Sequence, residues 1–477
     1  MQLIQLIRRD VANKTGGEVA SRLFFLLFFF YVARKFQIAD FGALNVAISS
    51  TYILGVLFLD PGLNLSTIQL LLERREQTGR IASVIFTLKC LLFAPLLIAL
   101  YFVTRAFAGK LPSFSIMLLA ALYTLFTALL EYLCSVTNAF HRMDLEAALK
   151  IVNRLSMVLF GAVALTLGRT ASVLFAMSAA TFLTCILALV LLRRQLVPIR
   201  LALNPTIIYD AVKAGLPIAG TVIVGTIYLK WDLLVLSYFN IGKQEIGWYA
   251  GAFKIVEAFS ALPSILGAAL FPLIIQLRTA NPQALDRLLG NSTKAILLFS
   301  IPVAATISLL SRPIISTIYG KSYLPGAAVL SILICCIVPI FLYFYFMFVN
   351  IAAGHAKYNL FAGCAALVAG LVANAVLVPR IGYLGAAWAA LIANTSFALL
   401  AFWRVSSVFQ NASLPTILLR SSTAGMFMVL AFLFLPGGPI IQLASGLVFY
   451  LVVLVALGSL RSADVSLAFR LFQPSTK

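Results

Sequence analysis

Acidic residues, histidine and long polar stretches are what this chain has least of. Its 477 residues include 15 Asp and Glu and two His, and charged residues of both signs make up only 10%. A soluble domain carries about a quarter charged residues. With 62% hydrophobic residues and a mean hydropathy of +1.04, lipid must solvate most of this surface. The two histidines, His141 and His355, fall in or near expected loops and do not converge on a centre. The six cysteines (Cys90, Cys134, Cys185, Cys335, Cys336 and Cys364) lie in apolar stretches without CxxC or CxxH spacing, so neither a disulfide frame nor a metal site is expected. Walker A, GxSxG, HExxH and DxD-like motifs are absent. No catalytic residue is therefore assigned, and no resident cofactor is expected.

What the chain does have is helix-length apolar windows. They fall at about 18–36, 41–59, 83–106, 114–138, 151–168, 171–192, 212–239, 248–275, 294–311, 326–350, 358–379, 384–403, 414–435 and 440–459. The expected fold is an all-α polytopic membrane protein of about fourteen transmembrane helices. No A-x-A-like cleavage site follows the opening MQLIQLIRRD, so this segment reads as a short amphipathic helix feeding the first span. The net charge of +20 comes from basic residues spread between spans rather than gathered in one patch, which argues against nucleic acid. Of the 35 Lys and Arg, 22 fall at the termini and even-numbered loops and 9 at odd-numbered loops. The positive-inside rule then places both termini in the cytoplasm.

The longest connection, Arg193 to Asp210, divides the chain into a first lobe (1–192, spans one to six), a linker (193–211), a second lobe (212–403, spans seven to twelve) and a last pair of spans with the tail (404–477). An internal echo supports the division. Phe36, Ile38, Gly42, Leu44 and Ala47 correspond to Phe239, Ile241, Gly247, Tyr249 and Ala252, and Gly168 and Ala171 to Gly382 and Gly385. Both halves contain an even number of helices, so they read as parallel repeats.

Four cations sit inside otherwise apolar windows: Arg22, Lys89, Lys230 and Lys254. Each costs about 2.5–3.5 kcal/mol at a bilayer centre, so such residues face a wet cavity and serve a substrate or ion. A cationic interior implies an anionic cargo, and staggered Lys and Arg suit a diphosphate. Glu18 and Arg22 have i,i+4 spacing, and Lys254 and Glu257 have i,i+3 spacing, so both pairs can meet on a helix face. Lys230 and Asp232 point to opposite sides of their helix and need partners elsewhere. Lys89 either faces the cavity or reaches out to headgroups. Asp60, before Pro61 and Gly62, reads as a boundary residue. Glu131 and Glu257 are proton-coupling carboxylates or counter-ions.

Four blocks carry a family resemblance: ARKFQIADFG (33–42), YLKWDLLVLS (228–237) followed by IGWYAGAFK (246–254) and ALFP (269–272), IYGKSY (318–323), and VPRIGYLGAAWAA (378–390). In this order and at these span positions the chain resembles the Wzx-like lipid-linked oligosaccharide flippases of the multidrug/oligosaccharidyl-lipid/polysaccharide exporter superfamily. The resemblance implies two six-helix lobes in a V around a central cavity, plus two C-terminal helices that can form a groove for a polyprenyl tail. It implies a polyprenyl-diphosphate-linked oligosaccharide as cargo, flipped from the cytoplasmic to the outer leaflet of the inner membrane during surface polysaccharide assembly. Membrane lipids and the polysaccharide polymerase machinery are the implied partners. Arg22, Lys230 and Lys254 would bind the diphosphate, with Lys89 a further candidate. Lys230 replaces the arginine common at its position, keeping the charge but losing the bidentate fork. Asp232, Glu257, Glu131 and Glu18 are the candidates for counter-ions or for H⁺ or Na⁺ coupling. A multidrug exporter of the same fold is the main rival, and it would want carboxylates to dominate. A polysaccharide polymerase or ligase would want a large external loop, and none is expected here.

Overall fold

In this computed structural model the described residues (2–260, 262–406, 413–434 and 439–457) form α-helices joined by short turns, with no strand among them. The first ten helices are α1 (Gln2–Lys35), α2 (Ile38–Phe58), α3 (Leu63–Glu73), α4 (Thr78–Leu91), α5 (Phe93–Ala106), α6 (Phe114–Ala139), α7 (Met143–Leu165), α8 (Thr170–Gln195), α9 (Pro205–Tyr238) and α10 (Lys243–Phe259). There follow α11 (Leu262–Ala280), α12 (Pro282–Leu309), α13 (Ser311–Tyr319), α14 (Gly326–Leu333) and α15 (Ile337–Ala352). The last four are α16 (Ala356–Ile381), α17 (Tyr383–Ser406), α18 (Ser413–Phe434) and α19 (Pro439–Ala456).

Eleven of the expected windows coincide with helical segments long and apolar enough to cross a membrane. The eighth does not: α10 ends at Phe259 and α11 begins at Leu262, so that window is two helices. The last two windows are the apolar parts of α18 and α19, which are shorter. The chain is a multi-pass membrane protein. Its surface is inverted relative to a soluble domain: Phe102, Val163, Phe175 and Phe434 stand well exposed, while Thr51, Ser66, Thr137 and Thr181 are fully buried. The buried hydroxyls donate to carbonyls one turn back on their own helices, as Thr51 does to Ala47 at 2.9 Å and Thr181 to Met177 at 2.9 Å. Backbone-directed bonding of this kind is how a polar side chain is tolerated in lipid.

The contacts group into two compact units: Met1–Ala258 with Ile318–Gly326 and Gly370–Ala386, and Phe259–Thr317 with Ala327–Ala369 and Ala387–Lys477. In the second unit α11 packs on α15, α12 on α18, and α18 on α19. There α12, α15 and α18 border an apolar cavity of about 450 Å³ whose lining includes Ile301, Ala305, Ser308, Val338, Gly425 and Met426.

In the first unit α1 packs along α7, α6 along α8, and α2 against both α6 and α9. Close approach of α1 and α7 depends on missing side chains: a Cβ at Gly17 would stand 2.3 Å from the Ala147 Cβ, and one at Gly161 would stand 2.3 Å from the Phe28 ring. Of the expected linker (193–211) only residues 196–204 are non-helical, the rest belonging to α8 and α9, and this shorter stretch is a strap lying on α4. Its Arg200 and Ala202 amides donate to Ser83 Oγ and Thr87 Oγ1, both at 3.0 Å. It ends at Asn204, whose side-chain oxygen accepts from the Ile207 amide at 3.1 Å and caps α9 ahead of Pro205.

The second expected span continues past a break. After α2 the chain turns through Leu59–Gly62, with Gly62 at φ +79°, and resumes as α3. The break frees the Leu59 carbonyl, and Lys89 from α4 fills the gap. Its ammonium donates to Leu59 O at 2.8 Å, lies 3.5 Å from Asp60 Oδ1 and sits 5.7 Å from the centre of the Tyr132 ring, with no exposed surface. Asp60 in turn accepts from the amide and side chain of Asn64 in the first turn of α3. Lys89 thus ties the two parts of a broken helix together. Replacing Lys89 with Met should lower stability by about 3 kcal/mol, at the low end for breaking a buried pair. A thermal melt in detergent checks this.

At one end of the first unit four turns come together. Arg34 Nε donates to Ile318 O at 2.7 Å, Trp248 Nε1 to Ser322 O at 3.1 Å, and the Tyr319 hydroxyl to Gly251 O at 2.8 Å. The rings of Phe41 and Tyr323 lie 6.3 Å apart, and those of Trp248 and Tyr383 lie 5.8 Å apart. The backbones of α2 and α10 meet directly: a Cβ on Gly247 would be 2.2 Å from Ile38 O, whereas one on Gly251 would meet its nearest neighbour, Tyr323, at 3.4 Å. In an otherwise unconstrained helix, Gly→Ala gains about 1 kcal/mol. Gly247→Ala should therefore lower the melting temperature by several degrees, while Gly251→Ala leaves it unchanged or raises it.

Candidate functional site

The site is built by α1, α7, α9 and α10 of the first unit. On α1, Glu18 accepts from Arg22 Nε at 3.1 Å through one oxygen and from Lys150 Nζ at 2.9 Å through the other. Lys150 also reaches Glu146 one turn back on α7, at 2.7 Å. One turn further along α7, the Arg154 guanidinium covers the Phe25 ring at 4.1 Å. Lys254 of α10 faces the same aromatic patch, 5.3 Å from the Phe25 centre and 4.3 Å from that of Phe29. Aromatic faces attract cations strongly when water is excluded.

Lys254 donates to Glu257 Oε2 at 2.8 Å, and Lys230 of α9 donates to Glu257 Oε1 at 2.5 Å. Lys230 also lies within 6.0 Å of the ring centres of Tyr52 and Phe253. This chain of contacts holds five cations (Arg22, Lys150, Arg154, Lys230 and Lys254) and three carboxylates (Glu18, Glu146 and Glu257). The cations of this string outnumber its carboxylates.

The expected pairings on α1 and α10 are therefore present, and Lys230 finds the partner on another helix that its position required. Asp232 finds one too: it accepts from the Tyr249 hydroxyl at 2.8 Å and from Asn374 Nδ2 at 3.4 Å. Lys89 stands apart from the string, enclosed at the α2–α3 break, because the freed Leu59 carbonyl supplies a partner that hydropathy cannot show. Glu131 is exposed on α6 between buried neighbours, Leu130 and Tyr132. Among the described residues no group of three His, Cys, Asp or Glu side chains gathers as a metal site.

Sequence reading missed Lys150 and Arg154. The signal was there: residues 146, 150 and 154 recur every four positions, so all three lie on one face of α7. A hydropathy window opens at residue 151, which divides that face in two.

The model of the polysaccharide biosynthesis protein family matches residues 7–278. The chain belongs to that family. No curated protein sequence matches it closely enough to compare. Among solved structures, the lipid II flippase MurJ in an inward-closed conformation superposes with a TM-score of 0.74 at 17% identity, covering 92% of this chain and 97% of that one. An inward-facing multidrug-resistance MATE transporter of the MOP superfamily gives 0.64 at 16% identity, covering 82% and 96%. The eukaryotic MATE transporter AtDTX14 gives 0.57 at 12% identity, covering 84% and 96%. The chain shares the fold of these transporters.

Within the string the ion pairs are not equivalent in exposure. The Arg22 side chain is 42% exposed, whereas Glu146, held by Lys150, is 6% exposed. Lys150→Met strips a partner from an enclosed carboxylate and should cost about 2–3 kcal/mol. Arg22→Ala breaks an exposed pair and should cost under about 1 kcal/mol. The melting temperatures of the two variants, measured side by side, check the order.

Proposed function

We propose that this protein is a flippase for a polyprenyl-diphosphate-linked oligosaccharide. It would move its cargo from the cytoplasmic to the outer leaflet of the inner membrane for surface polysaccharide assembly, as for O-antigen, capsule or exopolysaccharide. The observation that carries the reading is the cation-rich string in the membrane-spanning part of the first unit. In that reading Arg22, Lys230 and Lys254 bind the diphosphate, joined by Arg154 from the same aromatic patch. Lys89 is left out of the seat because none of its surface is exposed. Family membership and the fold shared with a lipid II flippase support transport rather than catalysis.

Further features support this reading. The positive-inside orientation puts the termini in the cytoplasm, so the end closed by Arg34, Trp248, Tyr319 and the Gly42–Gly247 crossing would face outward. The apolar cavity edged by Ile301 and Met426 lies on α12 and α18, where a polyprenyl tail would be accommodated. No nucleotide-binding motif exists to supply energy. Outward movement of a cargo with two negative charges is favoured by an inside-negative potential, by about 2.3 kcal/mol per charge per 100 mV. Coupling to H⁺ or Na⁺ falls to Asp232, held by Tyr249 and Asn374, or to Glu131, which lies within electrostatic reach of Lys150 and Arg154. The same fold serves multidrug export, but positive charge dominates here where an organic cation would want carboxylates.

The test is the combined Lys230→Ala and Lys254→Ala variant in cells depending on this protein for surface polysaccharide. Lipid-linked oligosaccharide should accumulate on the inner leaflet, with loss of surface polymer, at unchanged protein abundance. Normal surface polysaccharide would remove the lysines from cargo recognition. Loss of drug efflux in place of polysaccharide would favour the exporter.

A further inference from the structure

Glu257 occupies an unusual place in the cationic string. It is the one carboxylate that joins the two lysines from different helices, and it gives each of them a different oxygen: Oε1 to Lys230 at 2.5 Å and Oε2 to Lys254 at 2.8 Å. Its side chain is 28% exposed, while those of Lys230 and Lys254 are 17% and 8% exposed. The carboxylate is thus the most accessible member of the trio. A carboxylate and a phosphoryl group present the same face to such a pair, namely two anionic oxygens on one atom, each able to accept from an ammonium. Lys254 is three residues before Glu257 on α10, so the contact between them is available whenever that helix is intact. Lys230 comes from α9, so its contact is the one that a displaced carboxylate surrenders.

We propose that Glu257 is an internal stand-in for the anionic headgroup, seated on Lys230 and Lys254 when cargo is absent and displaced by the diphosphate when cargo binds. This rests on the reading of those lysines as the diphosphate seat. The stand-in does two things. It pairs with two cations that are expensive to leave unpaired in lipid, so the empty carrier keeps a folded site with less excess charge. It also competes with the cargo, which weakens binding and lets the headgroup leave once it has been carried across. A binding step weakened by an internal competitor lowers affinity without lowering turnover when release limits the cycle.

The experiment measures binding of farnesyl diphosphate, a soluble diphosphate with a prenyl tail, to the full-length protein. Phosphatidylcholine nanodiscs are used so that no anionic lipid competes. Glu257→Gln retains the shape but lacks the charge, and should bind at least about tenfold tighter than the unmodified protein, the ratio that 1.4 kcal/mol corresponds to. It should also export lipid-linked oligosaccharide more slowly in cells. Glu257→Asp keeps the charge but is one methylene too short to hold both lysines, and should bind a few-fold tighter. It decides the matter if the glutamine variant does not fold. The combined Lys230→Ala and Lys254→Ala variant should bind at least about tenfold weaker. If that variant loses binding while neither Glu257 substitution tightens it, the stand-in is overturned and the lysine seat stands. If the lysine variant binds like the unmodified protein, the seat falls and the stand-in falls with it.

Discussion

A charged side chain in a bilayer must be paired or wet, and the first unit is arranged around that demand. It meets it in two different ways. Lys89 has a closed solution: a backbone carbonyl released by the α2–α3 break, a carboxylate from the same turn and an aromatic face, with no surface left over. The string from Glu146 to Lys230 has an open solution, in which each shared carboxylate serves two cations. Glu18 is divided between Arg22 and Lys150, and Glu257 between Lys230 and Lys254. Sharing leaves every cation with donors to spare. The closed arrangement holds a fold together, and the open one is what an anionic ligand can complete.

The aromatic residues are part of the same solution. Phe25 and Phe29 lie under Lys254, and Phe25 also lies under Arg154. Their faces supply weak negative potential without adding a carboxylate, so they steady cations without cancelling them. A site made only of salt bridges would be neutral, and one made only of lysines would not be stable in lipid. Mixing ring faces with too few carboxylates produces a folded site that stays net positive.

Much of this was legible in the sequence. The spans are long apolar runs, and length and hydropathy suffice for those. The pairs on single helices follow from spacing, as with Glu18 and Arg22 or Lys254 and Glu257. The need of Lys230 and Asp232 for partners on other helices also follows from spacing, but the identity of the partners does not. Tyr249, Asn374 and Glu257 are brought to them by tertiary packing. The break between α10 and α11 escapes hydropathy because both sides of it are apolar, so a window averages across it. Lys150 and Arg154 were lost for a related reason: a boundary drawn by hydropathy ignores the helical face that runs through it.

The internal echo has a structural counterpart that periodicity alone does not reveal. Gly42 and Gly247, paired in that echo, lie on helices that cross there: a Cβ on Gly42 would stand 2.9 Å from the Gly247 amide nitrogen, and one on Gly247 2.2 Å from Ile38 O. That crossing lies on the same helix as Lys254 and Glu257. On α10, Gly251 accepts the Tyr319 hydroxyl within the closed end, and Lys254 and Glu257 follow in the next two turns. A helix is stiff over two turns, so α10 cannot rotate to part the closed end without carrying Lys254 and Glu257 with it. Lys230 sits on α9 and is not bound to follow. The contact between Lys230 and Glu257 is therefore a tie between α9 and α10 that movement of the closed end would strain. The closed end and the Lys254–Glu257 pair are thus linked mechanically through one rigid element, α10.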